Sequence, residues 1–304
     1  MMRNEEQLLS VEGLRIAFRI EGRKSVPVRG VTFSVPRGGR VALVGESGSG
    51  KSLTALALGG LVDRAEVGGK IVGRPRISYV FQNPMQSLNP VMRVGAQVAE
   101  GLRAPKERPA ERKARVEELL ASVGLPEGAA GRYPCEMSGG QQQRVMIAMA
   151  LAADPELLIA DEPTTALDVT TQKDVLELID RVADARGMAV LLITHNLGLV
   201  AAHADYVNVM YAGEIVESGP VERVLAAPRH PYTKGLLAAV PNLDAPQDAP
   251  LRDIEGTVPA PWAWPVGCAF HPRCPVARPE CSSPDFRTCP ESNLTLTMHD
   301  YDNR

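Results

Sequence analysis

Aromatic residues make up only 4% of this 304-residue chain, and no apolar run in it has the length of a membrane helix. The longest, Val145 to Ala153, falls far short of the roughly 20 residues needed to cross a bilayer. Any association with a membrane must therefore run through a partner. Strong charge is missing too. Lys and Arg number 33 against 36 Asp and Glu, a net charge of -3, and no basic block of the kind that draws nucleic acid or anionic lipid stands out. Neither is expected as a partner. Met1 to Leu9 carries Arg3, Glu5 and Glu6 without a long apolar core, and it is not expected to be a secretory signal. What remains, 44% hydrophobic and 23% charged, suits one large core with one or two smaller units.

Pattern and punctuation give a coarse layout. Arg40 to Val44 is a short apolar run that ends at a glycine-rich loop, so it reads as a buried strand delivering that loop to a helix, which stops near Gly59-Gly60. Leu157 to Ala160 and Val190 to Thr194 are two further runs of the kind found in strands covered on both faces. They end at Asp161 and His195. Between them, Thr171 to Arg186 carries Val175, Leu178, Ile179 and Val182 at helical spacing, with Gly187 as a stop. Alternation of this kind predicts a mostly parallel sheet flanked by helices, with chemistry at the carboxyl ends of its strands. Two segments interrupt it. Residues from about Asn83 to Glu136 read as an inserted helical subdomain, with Val116, Leu119, Leu120 and Val123 on one face of the stretch after Pro109. Leu8 to Pro36 alternates around Glu21-Gly22 and reads as antiparallel strands beside the main sheet.

The loop itself is Gly45-Glu46-Ser47-Gly48-Ser49-Gly50-Lys51-Ser52. Its glycines let backbone N–H groups converge on phosphates, Lys51 adds a cation, and Ser52 can offer a hydroxyl to magnesium at the start of a helix. Asp161 and Glu162 follow a strand directly. Such a pair alone is more often a solvated turn; beside a phosphate loop, the aspartate suits magnesium and the glutamate suits the handling of an attacking water. His195 after a strand would, alone, usually be structural.

The phosphate loop together with Ser138-Gly139-Gly140-Gln141-Gln142 resembles one superfamily, the ATP-binding cassette ATPases. The resemblance covers about residues 8 to 225. It implies that Gln82, in Phe81-Gln82-Asn83-Pro84, senses magnesium and attacking water at the junction with the helical subdomain. It implies that Ala166-Leu167-Asp168 is the D-loop, that His195 is the switch histidine, and that Phe18 stacks on adenine, although Phe18 would serve equally as core packing. Glu162 would act as catalytic base with His195 and Gln82 in support, and Asp161, Ser52 and Gln82 would serve magnesium. Two ATPs would be clamped between two cassettes, each held by one chain's phosphate loop and the other's Ser138, Gly139, Gly140 and Gln141.

Three further stretches resemble the oligopeptide and dipeptide importer branch: Phe81 to Pro90, Pro134 to Ser138, and His230-Pro231-Tyr232-Thr233-Lys234-Gly235-Leu236-Leu237, continued by Gly256-Thr257-Val258-Pro259. Four of the five cysteines follow, Cys268, Cys274, Cys281 and Cys289, spaced C-x5-C-x6-C-x7-C in a proline-rich tail. Clustered thiols in a cytoplasmic protein suggest metal ligation before disulfides, and thiolates suit zinc or an iron-sulfur cluster equally. The resemblance of Gly267 to Pro275 to the importer tail implies a four-iron four-sulfur (4Fe-4S) cluster rather than zinc. Cys135, far from the others, is expected to be a buried small residue. Trp262 and Trp264 are expected to pack against the metal centre. The stretch between Ser52 and Gln82 is short for this branch, so part of the usual antiparallel strand pair is expected to be missing around Val67 to Ile77.

These readings converge on an α/β fold of the P-loop NTPase class: a mostly parallel sheet, an antiparallel β subdomain, an inserted helical subdomain at approximately 83–140, and a small irregular metal-binding extension. The boundaries expected are 1–227 for the ATPase and 228–304 for the extension. The resemblance implies a hydrolysing subunit, peripheral on the cytoplasmic face of the inner membrane, that powers import of peptides. Its partners would be two membrane permeases, a homologous ATPase in a heterodimer or homodimer, and a separate substrate-binding protein. Glutathione and nickel complexes are alternative cargoes. A soluble switch in DNA repair or translation fits less well, since tandem cassettes, long coiled-coil insertions and basic surfaces are not evident. A metal-sensing regulator built on the cysteine tail is a third reading.

Overall fold

The computed structural model describes residues 7–103, 108–165, 167–240, 253–286, 288–289 and 294–295. Met1 to Glu6, part of the segment read above for a signal, and Ala166 of the expected D-loop lie outside the described residues. In chain order the main elements are β1 (Gln7–Ile20), β2 (Arg23–Pro36), β3 (Arg40–Val44), α1 (Lys51–Leu58), β4 (Glu66–Val72), β5 (Ile77–Val80), α2 (Pro84–Ser87), α3 (Val94–Glu100), α4 (Pro109–Ser122), α5 (Gly139–Ala152), β6 (Leu157–Asp161), α6 (Val169–Arg186), β7 (Ala189–Thr194), α7 (Leu197–His203), β8 (Tyr206–Tyr211), β9 (Glu214–Pro220), α8 (Val221–Ala226) and α9 (Pro231–Ala238). They fall into two compact units. One comprises Met1–Pro36, Arg40–Gly73 and Leu192–Arg304; the other comprises Arg37–Gly39 and Arg74–Leu191.

In the first unit, β1 and β2 form the antiparallel pair expected around Glu21-Gly22, with Val11 opposite Phe33 and Ile16 opposite Val28. Leu9, Val11, Leu14 and Ile16 alternate inward, each no more than 1% exposed. The short stretch after Ser52 yields a single antiparallel strand here: β4 pairs with β1 and makes a three-stranded sheet in the order β2-β1-β4. Every residue of β4 is exposed, as befits an edge that nothing covers. A second sheet in the same unit runs β3 parallel to β8 and β8 antiparallel to β9. Its apolar face is continuous with the tail. Val44, Val209 and Tyr211 share one core with Tyr232, Ile254 and Phe270, so residues expected to form a separate extension are packed on the sheet that carries the phosphate loop.

In the second unit, β5 and β6 are parallel, and β6 is wholly buried from Leu157 to Asp161. The inserted helices α2, α3 and α4 pack on α5, the helix that follows Ser138-Gly139. Val145, Ile147 and Ala148 of α5 are fully buried, which explains why this run is the most apolar in the chain without being a membrane span. Among the described residues no helix is long and apolar enough to cross a membrane. Helix α6 begins at Asp168, whose side chain accepts from the Thr171 amide, and ends at Gly187 in the left-handed conformation.

Candidate functional site

In the first unit the phosphate loop leaves β3 through Gly45 at φ 153, Gly48 at φ 81 and Gly50 at φ 102. Side chains are excluded here by contact as well as by dihedral. A Cβ on Gly45 would lie 2.1 Å from the Met210 carbonyl, and one on Gly50 would lie 2.8 Å from the Pro27 carbonyl. The loop therefore lies flat against backbone, and two of its amides are engaged, Glu46 donating to the Tyr232 hydroxyl at 2.8 Å and Ser49 to the Glu46 carbonyl at 3.2 Å. Lys51 is 5% exposed and donates from Nζ to the carbonyls of Gly45 at 2.7 Å and Glu46 at 2.8 Å, and to Ser49 Oγ at 3.4 Å. Its cation is thus held over the loop's own oxygens, where phosphate oxygens would compete for it. Ser52 stands exposed on the first turn of α1, and His195, just after β7, is exposed as well. Phe18 lies half-buried in β1 opposite Ser25.

In the second unit the end of β6 carries two carboxylates in different surroundings. Asp161 is 8% exposed and accepts from the Tyr79 hydroxyl at 2.9 Å. Burial, with Asp161 alongside, raises the Tyr79 hydroxyl far above the ordinary tyrosine value, so it remains a donor. Glu162 is half-buried at φ 45, a left-handed backbone that non-glycine residues rarely adopt. Its Oε2 accepts from Gln82 Nε2 at 3.1 Å and from Thr165 Oγ1 at 2.8 Å. The two residues expected to handle an attacking water are thus hydrogen-bonded to each other, and Tyr79 and Thr165 are additions that the spacing of motifs does not reveal.

Also in the second unit, Ser138 caps α5. Its Oγ accepts from the Gln141 amide at 3.4 Å, and Gln141 Oε1 accepts in return from the Ser138 amide at 3.1 Å. Ser138 and Gly139 are exposed, so the helix start presents free amides outward. A Cβ on Gly140 would lie 2.7 Å from Thr171 Cγ2, which sets this turn against the start of α6 and the capping Asp168.

The tail, in the first unit, brings its cysteines together. Cys268, Cys274, Cys281 and Cys289 line one cavity with His230, Pro231, Phe270, His271 and Val276. Burial pushes the Cys268 thiol up to about 11, and the charges of the other three cysteines add to the rise. Among the described residues no group of three or more His, Cys, Asp or Glu side chains is placed to hold a metal ion. Two expectations about this region are corrected. Trp262 is 62% exposed, while Trp264 donates to the Val26 carbonyl of β2 at 2.8 Å under the Arg29 guanidinium; neither lines the cavity. Cys135 is exposed, because in the tight turn Pro134–Glu136 it is Pro134 that takes the inward place.

One residue unforeseen in the sequence joins the tail to the phosphate loop. Arg273 donates to both oxygens of Glu46, Nη1 to Oε2 at 2.8 Å and Nη2 to Oε1 at 3.0 Å. Nearby, the Glu46 amide donates to the Tyr232 hydroxyl at 2.8 Å. His230, 1% exposed, caps α9 by accepting from the Tyr232 amide, and burial lowers its pKa to about 4.

A phosphate loop in one unit and paired carboxylates with a capped glycine turn in the other are the parts of a nucleoside triphosphatase of the cassette class. Residues 28–165 match the ABC transporter family. Residues 216–281 match the oligopeptide/dipeptide transporter C-terminal region. A protein of Brucella abortus, provisionally named a peptide import ATP-binding protein, is 44% identical over 299 residues, covering 91% of this chain and 90% of that one. A Brucella ovis protein similarly named is 46% identical over 313 residues, covering 91% and 92%. Among solved structures, CbiO1 from Clostridium perfringens, part of the ABC transporter complex CbiONQ, superposes with a TM-score of 0.65 at 26% identity, covering 73% of this chain and 92% of that one. The cassette MJ0796, dimeric and bound to ADP and Pi after hydrolysis, gives 0.62 at 26% identity, covering 70% and 98%. The chain belongs to the ABC transporter ATPases, in the branch that carries the oligopeptide/dipeptide C-terminal region. Its substrate is ATP and its activity is ATP hydrolysis.

Proposed function

We propose that this ATPase powers the import of peptides through two membrane permeases, at the cytoplasmic face of the inner membrane, with a separate binding protein delivering cargo. The observation that carries this reading is the match of residues 216–281 to the oligopeptide/dipeptide transporter region, alongside near full-length relatives named for peptide import. ATPase activity of the assembled complex that rises when peptide-loaded binding protein is added tests it. Indifference to every peptide would reject it.

The roles follow from the chemistry at each position. Backbone amides brought together by Gly45, Gly48 and Gly50 and the Lys51 cation bind the phosphates, and Phe18 stacks on the base. Ser52, Asp161 and Gln82 supply oxygen donors of the hard type that suits magnesium, which when bound contributes charge neutralisation at the phosphates. Glu162, held by Gln82 and Thr165, takes the proton of the attacking water, and His195 orients the terminal phosphate. Ser138, Gly139, Gly140 and Gln141 present an exposed helix start to the nucleotide of a second, homologous cassette, with Asp168 beside them; the dimeric ADP- and Pi-bound MJ0796 supports this arrangement.

The four cysteines suit a 4Fe-4S cluster better than zinc. Both groups take thiolate ligands, four of which line one cavity here, and the resemblance of Gly267 to Pro275 to the importer tail favours the cluster. Bound there, the group would brace the tail or carry one electron, held by Cys268, Cys274, Cys281 and Cys289. The ATPase and the tail extension, divided near residue 227, would then act as two functional parts.

A further inference from the structure

Glu46 is an odd residue for its place. It puts a carboxylate inside a loop whose task is to bind a polyanion. The structure offers a reason why this is tolerated. Arg273, with a side chain 5% exposed, covers both Glu46 oxygens in a forked pair. The guanidinium is fixed from the other side as well. It donates to the carbonyls of Ile254 at 2.9 Å, Glu255 at 2.8 Å and Gly256 at 3.2 Å, and lies 5.8 Å from the centre of the Tyr211 ring. Its position is over-determined by the tail, not by the loop it touches.

The backbone that carries Arg273 is the cysteine turn. The His271 amide donates to the Cys268 carbonyl at 3.0 Å, the Arg273 amide to Phe270 at 2.9 Å, and the Cys274 amide to His271 at 3.3 Å. Cys268 is in turn tied to Cys281 by its amide at 2.9 Å, and Gly267 is required there because a Cβ would lie 2.3 Å from the Cys281 carbonyl. A second link runs through rings. Phe270 meets Tyr232 at 5.3 Å, and the Tyr232 hydroxyl accepts from the Glu46 amide.

We propose that Arg273 is a positioning residue for nucleotide binding: by neutralising and pinning Glu46 it keeps the phosphate loop fit for ATP, and it makes that fitness depend on the state of the adjacent cysteines. When the cysteines lose their ligand, the turn loosens, Arg273 withdraws and Glu46 turns its charge on the phosphates. The idea rests on the cysteine reading above only for the nature of the ligand.

The test is titration of a fluorescent ATP analogue, with magnesium, into the full-length chain purified with its metal content measured. Arg273→Ala should raise Kd about five- to tenfold, the scale of one uncompensated charge a few ångströms from the phosphates. In the Glu46→Gln background, whose own Kd is the reference, Arg273→Ala should change Kd by less than about threefold. A tail merely unfolded by the substitution would not be rescued from within the loop. Should Arg273→Ala fail to fold, Arg273→Lys, which keeps the charge and loses the fork, should give an intermediate Kd with the same rescue. Cys274→Ser should weaken binding as Arg273→Ala does, again relieved by Glu46→Gln. Wild-type affinity in the Arg273 or Cys274 variants, or failure of Glu46→Gln to rescue, overturns the proposal. A wild-type chain free of iron would overturn the cluster and leave this test intact.

Discussion

Gln82 and Glu162 are joined by a hydrogen bond of 3.1 Å, although the two lie on separate segments, one after β5 and one after β6. The bond holds the carboxylate that follows a buried strand in a defined rotamer. The parallel pairing of β5 and β6, with Val80 opposite Ala160, brings the two side chains to the same end of the sheet. Glu162→Gln keeps the size of the side chain and removes the carboxylate proposed as the base. Turnover should fall by about 10²- to 10⁴-fold while ATP binding is retained. Steady-state hydrolysis and equilibrium binding, measured on the same preparation, check this.

Tyr79→Phe removes the hydroxyl that donates to Asp161. The buried carboxylate loses one donor, at a cost of about 1 kcal/mol in stability. With Asp161 less firmly oriented, the magnesium concentration for half-maximal hydrolysis should rise a few-fold while kcat at saturation changes little. A magnesium titration of the variant reads both.

Two glycines of one loop should respond differently to alanine. At Gly45 the new Cβ would lie 2.1 Å from the Met210 carbonyl, so the loop must move and nucleotide binding should be lost. At Gly48 nothing stands within 4 Å, and only the left-handed backbone is penalised, by about 1 kcal/mol. Gly48→Ala should keep measurable binding. The comparison separates steric exclusion from dihedral strain.

Ser138→Ala deletes the cap of α5 and should cost about 1 kcal/mol of stability. ATP binding to the isolated chain should be unchanged, while ATPase activity of the assembled transporter falls. Loss of binding by the isolated chain would place the motif at its own nucleotide instead of the partner's.

The cysteine cavity makes a compositional prediction. Chain purified without air should contain about four irons and four acid-labile sulfides per molecule and show broad visible absorbance. Serine at any of Cys268, Cys274, Cys281 or Cys289 should abolish both. A colourless protein with one zinc per chain contradicts the cluster.

Local pattern carried most of the fold. Arg40 to Val44, Leu157 to Ala160 and Val190 to Thr194 are apolar because both their faces are covered, and each is a strand. The glycine stop of α6 and the hairpin turn at Glu21-Gly22 follow from backbone chemistry that neighbouring residues specify. What local pattern could not give was partnership across the chain. Arg273 and Glu46 are 227 positions apart, and nothing in either neighbourhood names the other. The same holds for Tyr79 beside Asp161. The two tryptophans and Cys135 were misjudged for a related reason. Residue type alone does not say which side of a turn faces inward, and Pro134 and the β2 backbone settled those cases.

The central claim, that ATP hydrolysis by this chain drives peptide import, is tested most directly by uptake into vesicles. The chain is reconstituted with the proposed permeases and partner cassette, ATP is supplied on the cassette side, and labelled peptide is offered with the proposed binding protein on the other. The account predicts accumulation of a di- or oligopeptide that needs ATP and stops with Glu162→Gln. Vigorous hydrolysis with no accumulation of any peptide in a mixed library, or uptake that survives Glu162→Gln in this chain, would contradict it.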